Sequence, residues 1–467
     1  MEQTGRGAFR SRYIGDKAFY NRMLAVTVPV LIQNVITNFV SLLDNVMVGR
    51  IGTEPMSGVA IVNQLLFVFN LCIFGGLAGA GIFTAQFYGS GDQEGVRHSF
   101  RVKLWVGAVS TAVFIGLFLA AGDSLIALFL HEGEEALDLA ATLDFGRAYL
   151  LVMLPGLPLF ALSQIYSSTL RECGETVLPM KAGLIAVAVN LLGNYLLIYG
   201  KLGLPALGVV GAAWATVLSR LVEAAIVMVW THRNSKKHPF IRGAYRSLRV
   251  PGPLVRRVAV MGTPLLLNEL LWSSGMTVLT QCYSIRGLEV VSAQNISSTV
   301  SHLFFCAFFA MGSAVSILVG QLLGAGKLDK AVDEARKLTA FCVALCVVVG
   351  GIMALVAQWI PELYNTTPLV KRLAGRLLLV TAAMMPVNGY TSTCYFTLRS
   401  GGKTIITFLF DSGFIWVLCI PVAWVLAYHT AVPILPMVIV LQSLDLVKCV
   451  LGFFLVRSRK WVNNIVS

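Results

Sequence analysis

Residues 29–91 read PVLIQNVITNFVSLLDNVMVGRIGTEPMSGVAIVNQLLFVFNLCIFGGLAGAGIFTAQFYGSG, and the chain carries this stretch a second time, 235 residues later. The polar and helix-breaking residues match without a gap: Pro29 with Pro264, Gly52 with Gly287, Glu54 with Glu289, Ser57 with Ser292, and QFYGSG at 86–91 with QLLGAG at 321–326. A shared apolar composition does not explain matches of this kind. The sequence therefore predicts one architecture built twice.

A second duplicated block follows, now at a shift of 228 residues. Pro158 matches Pro386, and TLRECGET at 169–176 matches TLRSGGKT at 397–404. The alternative is chance similarity between apolar helices, but the shared residues are again those that break or cap helices. Both blocks indicate two lobes.

The composition is that of an integral membrane protein. Of the 467 residues 57% are apolar and 13% are charged, whereas a soluble protein carries about 25% charged residues. Apolar runs of roughly 20 residues recur, and their length and continuity favour helices over barrel strands. We predict an all-α fold with twelve transmembrane helices near 23–47, 59–87, 104–121, 148–170, 181–199, 210–231, 258–283, 290–322, 338–358, 377–396, 404–427 and 433–455.

Lysine and arginine set the predicted orientation. If the N-terminus is cytoplasmic, the inside segments hold most of the 36 basic residues, as the positive-inside rule requires. Because the basic residues lie between apolar runs, the net charge of +13 does not indicate a nucleic-acid partner. We predict a multi-pass protein of the inner membrane with both termini cytoplasmic and these parts: an N-terminal segment 1–22, an N-lobe 23–232, a basic linker 233–257, a C-lobe 258–456 and a tail 457–467.

Each predicted lobe has six spans, so both lobes enter the membrane in the same sense around a central cavity. The nine cysteines show no paired spacing and are predicted to be small core residues. No protease, hydrolase or nucleotide-binding motif is found. We therefore expect no enzyme, no cofactor, and transport driven by an ion gradient.

Asp44 is the strongest single signal, because a carboxylate within a span costs about 3 kcal/mol and is usually functional. It ends a polar stripe on one face of the first span, formed by Asn34, Thr37, Asn38, Ser41, Asp44 and Asn45. The stripe predicts a wet cavity, and we assign Asn34, Asn38 and Ser41 to the substrate pathway. The alternative is a structural hydrogen bond from Asp44 to a neighbouring helix.

Glu269 is the matching acid in the seventh span, with Ser273 and Thr277 on its side. It is not the repeat copy of Asp44, because it aligns with Asn34. A coupling role for Glu269 and a structural role are both open.

Asn190 and Asn194 are four residues apart and share one face of the fifth span. With Asp44 and Thr216 they offer oxygen atoms to a small cation, or hydrogen bonds to a protonated carboxyl. Ordinary interhelical hydrogen bonding is the alternative. In the last two spans, Asp445 and Lys448 are three residues apart and are predicted to neutralise each other. Asp411 could join them, and it is also a substrate-pathway candidate.

The chain resembles the multidrug and toxic compound extrusion (MATE) transporters over essentially its whole length. The resemblance rests on LDNVMVGR at 43–50, GQLLGAG at 320–326, the two LRxxGxT turns, and the spacing of Asn190, Asn194, Tyr195 and Gly200. It implies export of organic cations by antiport against Na⁺ or H⁺, with the cation site at Asp44, Asn190, Asn194 and Thr216.

The resemblance also implies a coupling role for Glu269 and a hinge at Pro29, fifteen residues before Asp44. In one branch of the family a second acid lies in the tenth span, where this chain has Asn388. This departure favours coupling at Asp44, and we place Asn388 in the substrate pathway.

We predict a monomeric multidrug antiporter with drug-like substrates in a lipid membrane. A proton needs only the carboxyl and one acceptor, which favours H⁺ over Na⁺ at Asp44, and no other metal site is predicted. The alternative function is a lipid or oligosaccharide-lipid flippase of the same superfamily, which would require a more cationic cavity.

Overall fold

A computed structural model describes residues 13–129, 138–364 and 366–467, without the side chains of residues 40–42, 45 and 46. Twelve long helical segments run through the described residues. They are α1 Lys17–Gly49, α2 Thr53–Ser90, α3 Gln93–Ala127, the broken helix α4 Leu139–Met153 with Gly156–Glu172, α5 Val177–Tyr199, α6 Gly208–Arg233, α7 Gly252–Ser284, α8 Leu288–Gly324, α9 Leu328–Val356, α10 Pro368–Ser400, α11 Thr404–His429 and α12 Ile434–Arg457.

The predicted all-α membrane fold is confirmed, and each predicted span falls on one of these helices. Among the described residues, nine helices are long and apolar enough to cross a membrane, and the bent pair that forms α4 makes a tenth. The other two, α7 and α10, carry more charge: α7 contains Arg256, Arg257 and Glu269, and α10 contains Lys371, Arg372, Arg376 and Arg399.

The described chain forms two compact units. The first holds the described residues up to Leu31, Ala85–Gly91 and Thr263–Ser467, and the second holds Ile32–Thr84 and Asp92–Gly262. The lobes predicted from the repeat divide the chain differently, at the linker 233–257, and those boundaries stay a prediction.

Two of the unit boundaries lie beside the repeated prolines. The first falls after Leu31, two residues beyond Pro29, and another falls just before Thr263 and Pro264. Both helices run without interruption through their proline. Because proline removes one backbone hydrogen bond, it locally weakens the helix at these points. The hinge at Pro29 stays a prediction.

The repeated QxxG motif makes a reciprocal contact inside the first unit. A Cβ atom added to Gly89 would overlap the carbonyl oxygen of Gln321, and one added to Gly324 would overlap the carbonyl oxygen of Gln86. The ends of α2 and α8 therefore cross with their backbones in contact. This close approach requires glycine at the same position in both copies.

Gln86 binds the segment 458–467, which follows α12, through hydrogen bonds. The side chain is fully buried, and its Nε2 atom donates to the carbonyl oxygens of Ser400 at 2.9 Å and Asn463 at 3.2 Å. Its Oε1 atom accepts from the backbone N–H of Ile465 at 2.9 Å. Trp461, 1% exposed, packs in the core of the same unit.

The repeated turns use glycine for a left-handed backbone. Gly174 has φ 82° and its copy Gly402 has φ 76°, each two residues after the end of a helix whose last turn contains the Leu-Arg sequence. A side chain at such a residue would be strained. The nine cysteines are all free, and Cys342 and Cys346 are fully buried in the core of the first unit.

Candidate functional site

Asp44 lies near the end of α1, half-buried in the second unit. Its Oδ1 atom accepts a hydrogen bond of 2.7 Å from Nδ2 of Asn194 on α5. The side-chain oxygen of Asn194 is buried and has no hydrogen-bond partner among the described residues. One neutral amide therefore holds the carboxylate and keeps a free acceptor beside it.

Asn190, one turn earlier on α5, supplies the second contact. The end of its side chain that faces Asp44 lies 2.9 and 3.0 Å from the two carboxylate oxygens, and the other end lies 3.2 Å from Oγ1 of Thr216 on α6. An amide oxygen facing an ionised carboxylate would place acceptor against acceptor. With its NH₂ group toward Asp44, Asn190 donates to the carboxylate and its oxygen faces the hydroxyl.

The structure thus brings together the four residues that were predicted to form the cation site in the first half of the chain. The spacing of Asn190 and Asn194 puts both on one face of α5, and both are buried, at 6% and 2% exposure. Their roles in ion coupling stay predictions.

Asp44 is not part of an ion pair within the described chain. The nearby cation, Arg220 on α6, instead pairs with the buried Glu223 at 2.9 Å and lies 5.2 Å from the centre of the Phe160 ring. These three ionised groups together carry one net negative charge. Arg220 acts on Asp44 through its charge, but its salt bridge is with Glu223, so no cation of the described chain is bonded to the Asp44 carboxylate and a ligand can take that place.

Asp44 lies in the wall of a cavity of about 360 Å³. This volume falls within the range of about 300–1,000 Å³ that is usual for small-molecule sites. The lining combines apolar, aromatic and polar side chains from the second unit, among them Asn63, Phe67, Asn70, Tyr149, Phe160, Asn194, Thr216 and Arg220.

Several of these lining residues are not in the predicted site. Asn63 and Asn70 are seven residues apart on α2, so they share a face, and this spacing could have identified them in the sequence. Tyr149 donates from its hydroxyl to Asn63 Oδ1 at 3.4 Å, but a single tyrosine in an apolar run gives no comparable signal. Arg220 could have been identified as a charge within a span.

The first unit contains a separate polar cluster around Asp411. Lys448 Nζ donates to Asp411 Oδ1 at 2.7 Å, and Asn268 Nδ2 donates to Asp411 Oδ2 at 3.1 Å. Asn268 Oδ1 in turn accepts from the backbone N–H of Ser412 at 3.2 Å and from its hydroxyl at 2.8 Å.

Lys448 thus forms its salt bridge with Asp411 on α11, the residue that was predicted to be able to join the pair, and Asp445 acts on Lys448 only as a neighbouring charge. Asp411 lies in a π-helical turn, Leu409–Gly413, and Lys448 lies over the rings of Phe410 and Phe414 at 5.2 and 5.9 Å. This packing fixes the ammonium group against α11, beside Asp411.

Glu269 follows the buried Asn268 on α7 and is half-buried. It forms no hydrogen bond or ion pair within the described residues, and the charged groups that act on it are Arg399 and Asp411. Glu269 belongs to the first unit, whereas Asp44, Asn190, Asn194 and Thr216 belong to the second.

The residues predicted for the substrate pathway do not line the cavity that contains Asp44. Those with described side chains are Asn34, Asn38, Ser273, Thr277, Asn388 and Asp411. Among them Thr277 donates back to the carbonyl oxygen of Ser273 at 3.1 Å, as hydroxyl groups commonly do within helices. Ser41 and Asn45 lie outside the described side chains, and the pathway assignment stays a prediction.

No group of three histidine, cysteine, aspartate or glutamate side chains suited to a metal ion is found in the described part of the chain. The oxygen atoms around Asp44 could still bind a monovalent cation: the two carboxylate oxygens, the Thr216 hydroxyl, and the partner-free oxygen of Asn194. Either amide would have to turn to offer its oxygen together with the carboxylate.

Apolar helices in a duplicated arrangement and a polar cavity with one uncompensated carboxylate define an integral membrane transporter. The MatE family model matches residues 29–196 and 264–425, one segment in each half of the repeat. The chain belongs to this family.

Curated relatives agree in length and in kind. A probable multidrug resistance protein NorM from Thermotoga maritima is 26% identical over 451 residues, which cover 95% of this chain and 93% of that protein. The multidrug resistance protein MdtK from Pectobacterium atrosepticum is 28% identical over 406 residues, 87% of each chain.

Solved structures share the fold. An outward-facing MATE family transporter of the MOP superfamily matches with a TM-score of 0.83 and 19% identity, over 94% of this chain and 95% of that chain. A crystal structure of MATE in the straight conformation matches with a TM-score of 0.83 and 20% identity, over 96% of this chain and 97% of that chain. The predicted MATE-type fold is therefore confirmed.

Proposed function

We propose that this transporter is a secondary antiporter that exports amphiphilic organic cations in exchange for H⁺ at Asp44. The observation that carries the proposal is an uncompensated carboxylate, held only by neutral amides, in the wall of a cavity of about 360 Å³ lined by aromatic side chains. A delocalised organic cation gains from both the carboxylate and the aromatic faces. The names of the relatives, which are multidrug resistance proteins, support this substrate class.

Protonation of Asp44 changes both the charge and the hydrogen bonds of the site. The ionised carboxylate accepts from Asn194 and Asn190. Once protonated, it must donate one hydrogen bond, and the oxygen of Asn194, which has no partner among the described residues, can accept it when the amide turns. Protonation removes the charge of Asp44 and leaves Arg220 in its ion pair with Glu223, so the proton and an organic cation exclude each other at Asp44.

This competition gives antiport when the two loaded forms favour different conformations. The proton-loaded and drug-loaded forms differ by one charge and one set of hydrogen bonds, and that difference shifts the balance between inward-open and outward-open states. We place both termini in the cytoplasm, on the distribution of lysine and arginine, and we propose that the protein acts as a monomer in the inner membrane.

Na⁺ is the second candidate for the coupling ion at the same carboxylate. Sodium requires several oxygen atoms at once, whereas both amides turn nitrogen toward Asp44. A proton requires one reoriented acceptor, and this difference favours H⁺. The flippase alternative receives no support from this cavity, because a phosphate headgroup would be repelled by the Asp44 carboxylate and the one cation among the described lining residues, Arg220, is already paired with Glu223.

The deciding experiment is efflux of a cationic dye, ethidium, from proteoliposomes under two separate gradients. We expect export with an inward pH gradient at symmetric Na⁺, and none in Asp44→Asn. Export driven by a Na⁺ gradient at clamped, symmetric pH, and lost in Asp44→Asn, would replace the proton by Na⁺ and keep the site. Export in both arms that is unchanged in Asp44→Asn would refute the assignment of coupling to Asp44.

A further inference from the structure

The segment between α6 and α7, residues 234–251, is held in place by hydrogen bonds from α3. The guanidinium of Arg101 on α3 donates to three carbonyl oxygens: Gly243 at 2.9 Å, Ala244 at 3.0 Å and Arg249 at 3.2 Å. Arg101 is 8% exposed. Because one guanidinium binds all three carbonyls, it closes residues 242–249 into a compact loop, which we call the arginine loop.

Further contacts from α3 hold the two sides of the arginine loop. Arg97 Nε donates to the carbonyl oxygen of Phe240 at 3.2 Å, and Trp105 Nε1 donates to that of Leu248 at 3.1 Å. The Phe240 side chain is 1% exposed. The loop is thus held at regular intervals along α3 by Arg97, Arg101 and Trp105, which share one helical face.

The arginine loop presents three cations at its surface. Arg242, Arg246 and Arg249 are exposed, and none of them pairs with an acid within the described residues. By contrast, Lys237, outside the loop, is paired with Glu175 at 2.5 Å. Since the loop is closed on itself, the three side chains start from neighbouring backbone positions, and their like charges add to one positive field.

Apolar groups lie beside these cations. Trp105 is 52% exposed on α3, a membrane-spanning helix, and the exposed fractions of Tyr245 and Leu248 are 48% and 43%. Tryptophan and tyrosine are typical of the membrane–water interface, where the ring is apolar and its N–H or O–H is polar. The cations therefore lie where phospholipid headgroups would be.

We propose that the arginine loop and Trp105 form a binding site for an anionic phospholipid, with the arginine side chains on the phosphodiester and the apolar groups on the adjoining acyl region. Guanidinium groups bind phosphate through paired hydrogen bonds, which a zwitterionic headgroup also offers. Net charge selects the anionic lipid, because three arginines without acidic partners attract a headgroup that has no cation of its own.

The test uses purified full-length protein in a neutral detergent, titrated with dioctanoyl-phosphatidylglycerol or dioctanoyl-phosphatidylcholine and measured by native mass spectrometry. Wild type is expected to bind phosphatidylglycerol at least 10-fold more tightly than phosphatidylcholine. The triple variant Arg242→Gln, Arg246→Gln, Arg249→Gln is expected to weaken the phosphatidylglycerol complex by roughly 100-fold, because each basic residue near an anionic surface contributes a factor of about 5 and the three factors multiply.

The matched control removes three exposed basic residues elsewhere: Lys327→Gln, Arg457→Gln and Lys460→Gln. It has the same net charge as the triple variant and is expected to keep wild-type affinity. Melting temperatures measured without lipid check that all proteins are folded. If the triple variant unfolds, Arg246→Gln alone replaces it, and its affinity for phosphatidylglycerol is expected to fall roughly 5-fold.

Three results would overturn the proposal. Equal affinity of wild type and the triple variant would show that the arginine loop does not bind the lipid. Equal loss in the control would show an effect of net charge only. Displacement of the lipid by inorganic phosphate at equal concentration would show that the site takes a free anion rather than a phospholipid. None of these readouts depends on transport, so this inference and the proposed antiport can fail independently.

Discussion

Replacing Asp44 by asparagine removes the uncompensated charge of the cavity and leaves its shape. In the structure the carboxylate accepts from Asn194 at 2.7 Å and from Asn190 at 2.9 and 3.0 Å. An asparagine at this position still accepts one of these bonds, and the Asn190 amide can turn to accept from the new NH₂ group. We therefore expect the fold to be retained, with a stability change of about 1 kcal/mol or less.

The effect on ligand binding follows from Coulomb's law. A monovalent cation about 4 Å from the carboxylate gains ~1 kcal/mol in a water-like medium and ~4 kcal/mol at the effective dielectric constant of a protein surface. The ion pair between Arg220 and Glu223 at 2.9 Å stays in both proteins and cancels in the comparison. Asp44→Asn should thus raise the Kd of a cationic dye by a factor of roughly 5 to 1,000.

The assay is fluorescence polarisation of ethidium with purified wild type, Asp44→Asn and Glu269→Gln in the same detergent, followed by efflux from proteoliposomes. Glu269→Gln carries the same change in charge but lies in the other unit, so it controls for net charge. A Kd for Asp44→Asn within twofold of wild type, together with continued proton-driven efflux, would refute the reasoning. A similar rise in the Kd of ethidium in both variants would show a non-specific charge effect on binding.

Three further outcomes are expected. Glu269→Gln should slow proton-driven efflux less than Asp44→Asn does, because Glu269 lacks the amide donors that hold Asp44; the initial rates of dye export decide this. Gly324→Ala should destabilise the protein by about 1–3 kcal/mol, because the added methyl group overlaps a backbone carbonyl of α2, and the melting temperature should fall. His238→Phe should remove part of the loss of stability between pH 7.5 and 5.5, as seen in melting temperatures over that range.

The sign of the His238 effect follows from its burial in the linker. His238 is 3% exposed, and burial together with the neighbouring Lys237 lowers its pKa. In the unfolded chain the imidazole binds a proton below a pKa of about 6.5, while the folded protein still holds it neutral. The unfolded state then binds more protons, so stability falls as pH drops through about 6.5.

A specific result would contradict each of these predictions. If Glu269→Gln slows dye export more than Asp44→Asn does, coupling lies in the C-terminal half. A methyl group added at Gly116 would meet no heavy atom of the described residues within 4 Å, so Gly116→Ala is the matched control for Gly324→Ala. If Gly116→Ala lowers the melting temperature as much as Gly324→Ala does, the close contact between α2 and α8 is not the cause of the lost stability. Parallel pH profiles for wild type and His238→Phe would show that another group titrates.

The repeat and the helices could be predicted because they depend on local chemistry. Glycine at 174 and 402 follows the same Leu-Arg helix end in both halves, and both residues have a left-handed backbone. Asp44 could be singled out because an acid in an apolar span is costly wherever the helix packs. The shared face of Asn190 and Asn194 follows from the period of the α-helix alone.

Contacts between helices could not be predicted in the same way. The spacing of Asp445 and Lys448 favoured a pair within one helix, but Lys448 reaches Asp411 on α11, because the π-helical turn and the Phe410 ring position its ammonium group there. Arg220 and Glu223 do pair within α6. Local spacing allows both arrangements, and only the packing of the neighbouring helix selects between them.

By itself the sequence determined a duplicated, helical membrane protein with an acid at residue 44 and two amides on one face of α5. Only the tertiary structure decided which helices supply the rest of the cavity, with Asn63 from α2 and Arg220 from α6, and how Arg101 fixes the arginine loop through three carbonyl oxygens. The physical reason is that helical periodicity fixes the face on which a side chain lies, whereas the partner of that face depends on packing between segments distant in the chain.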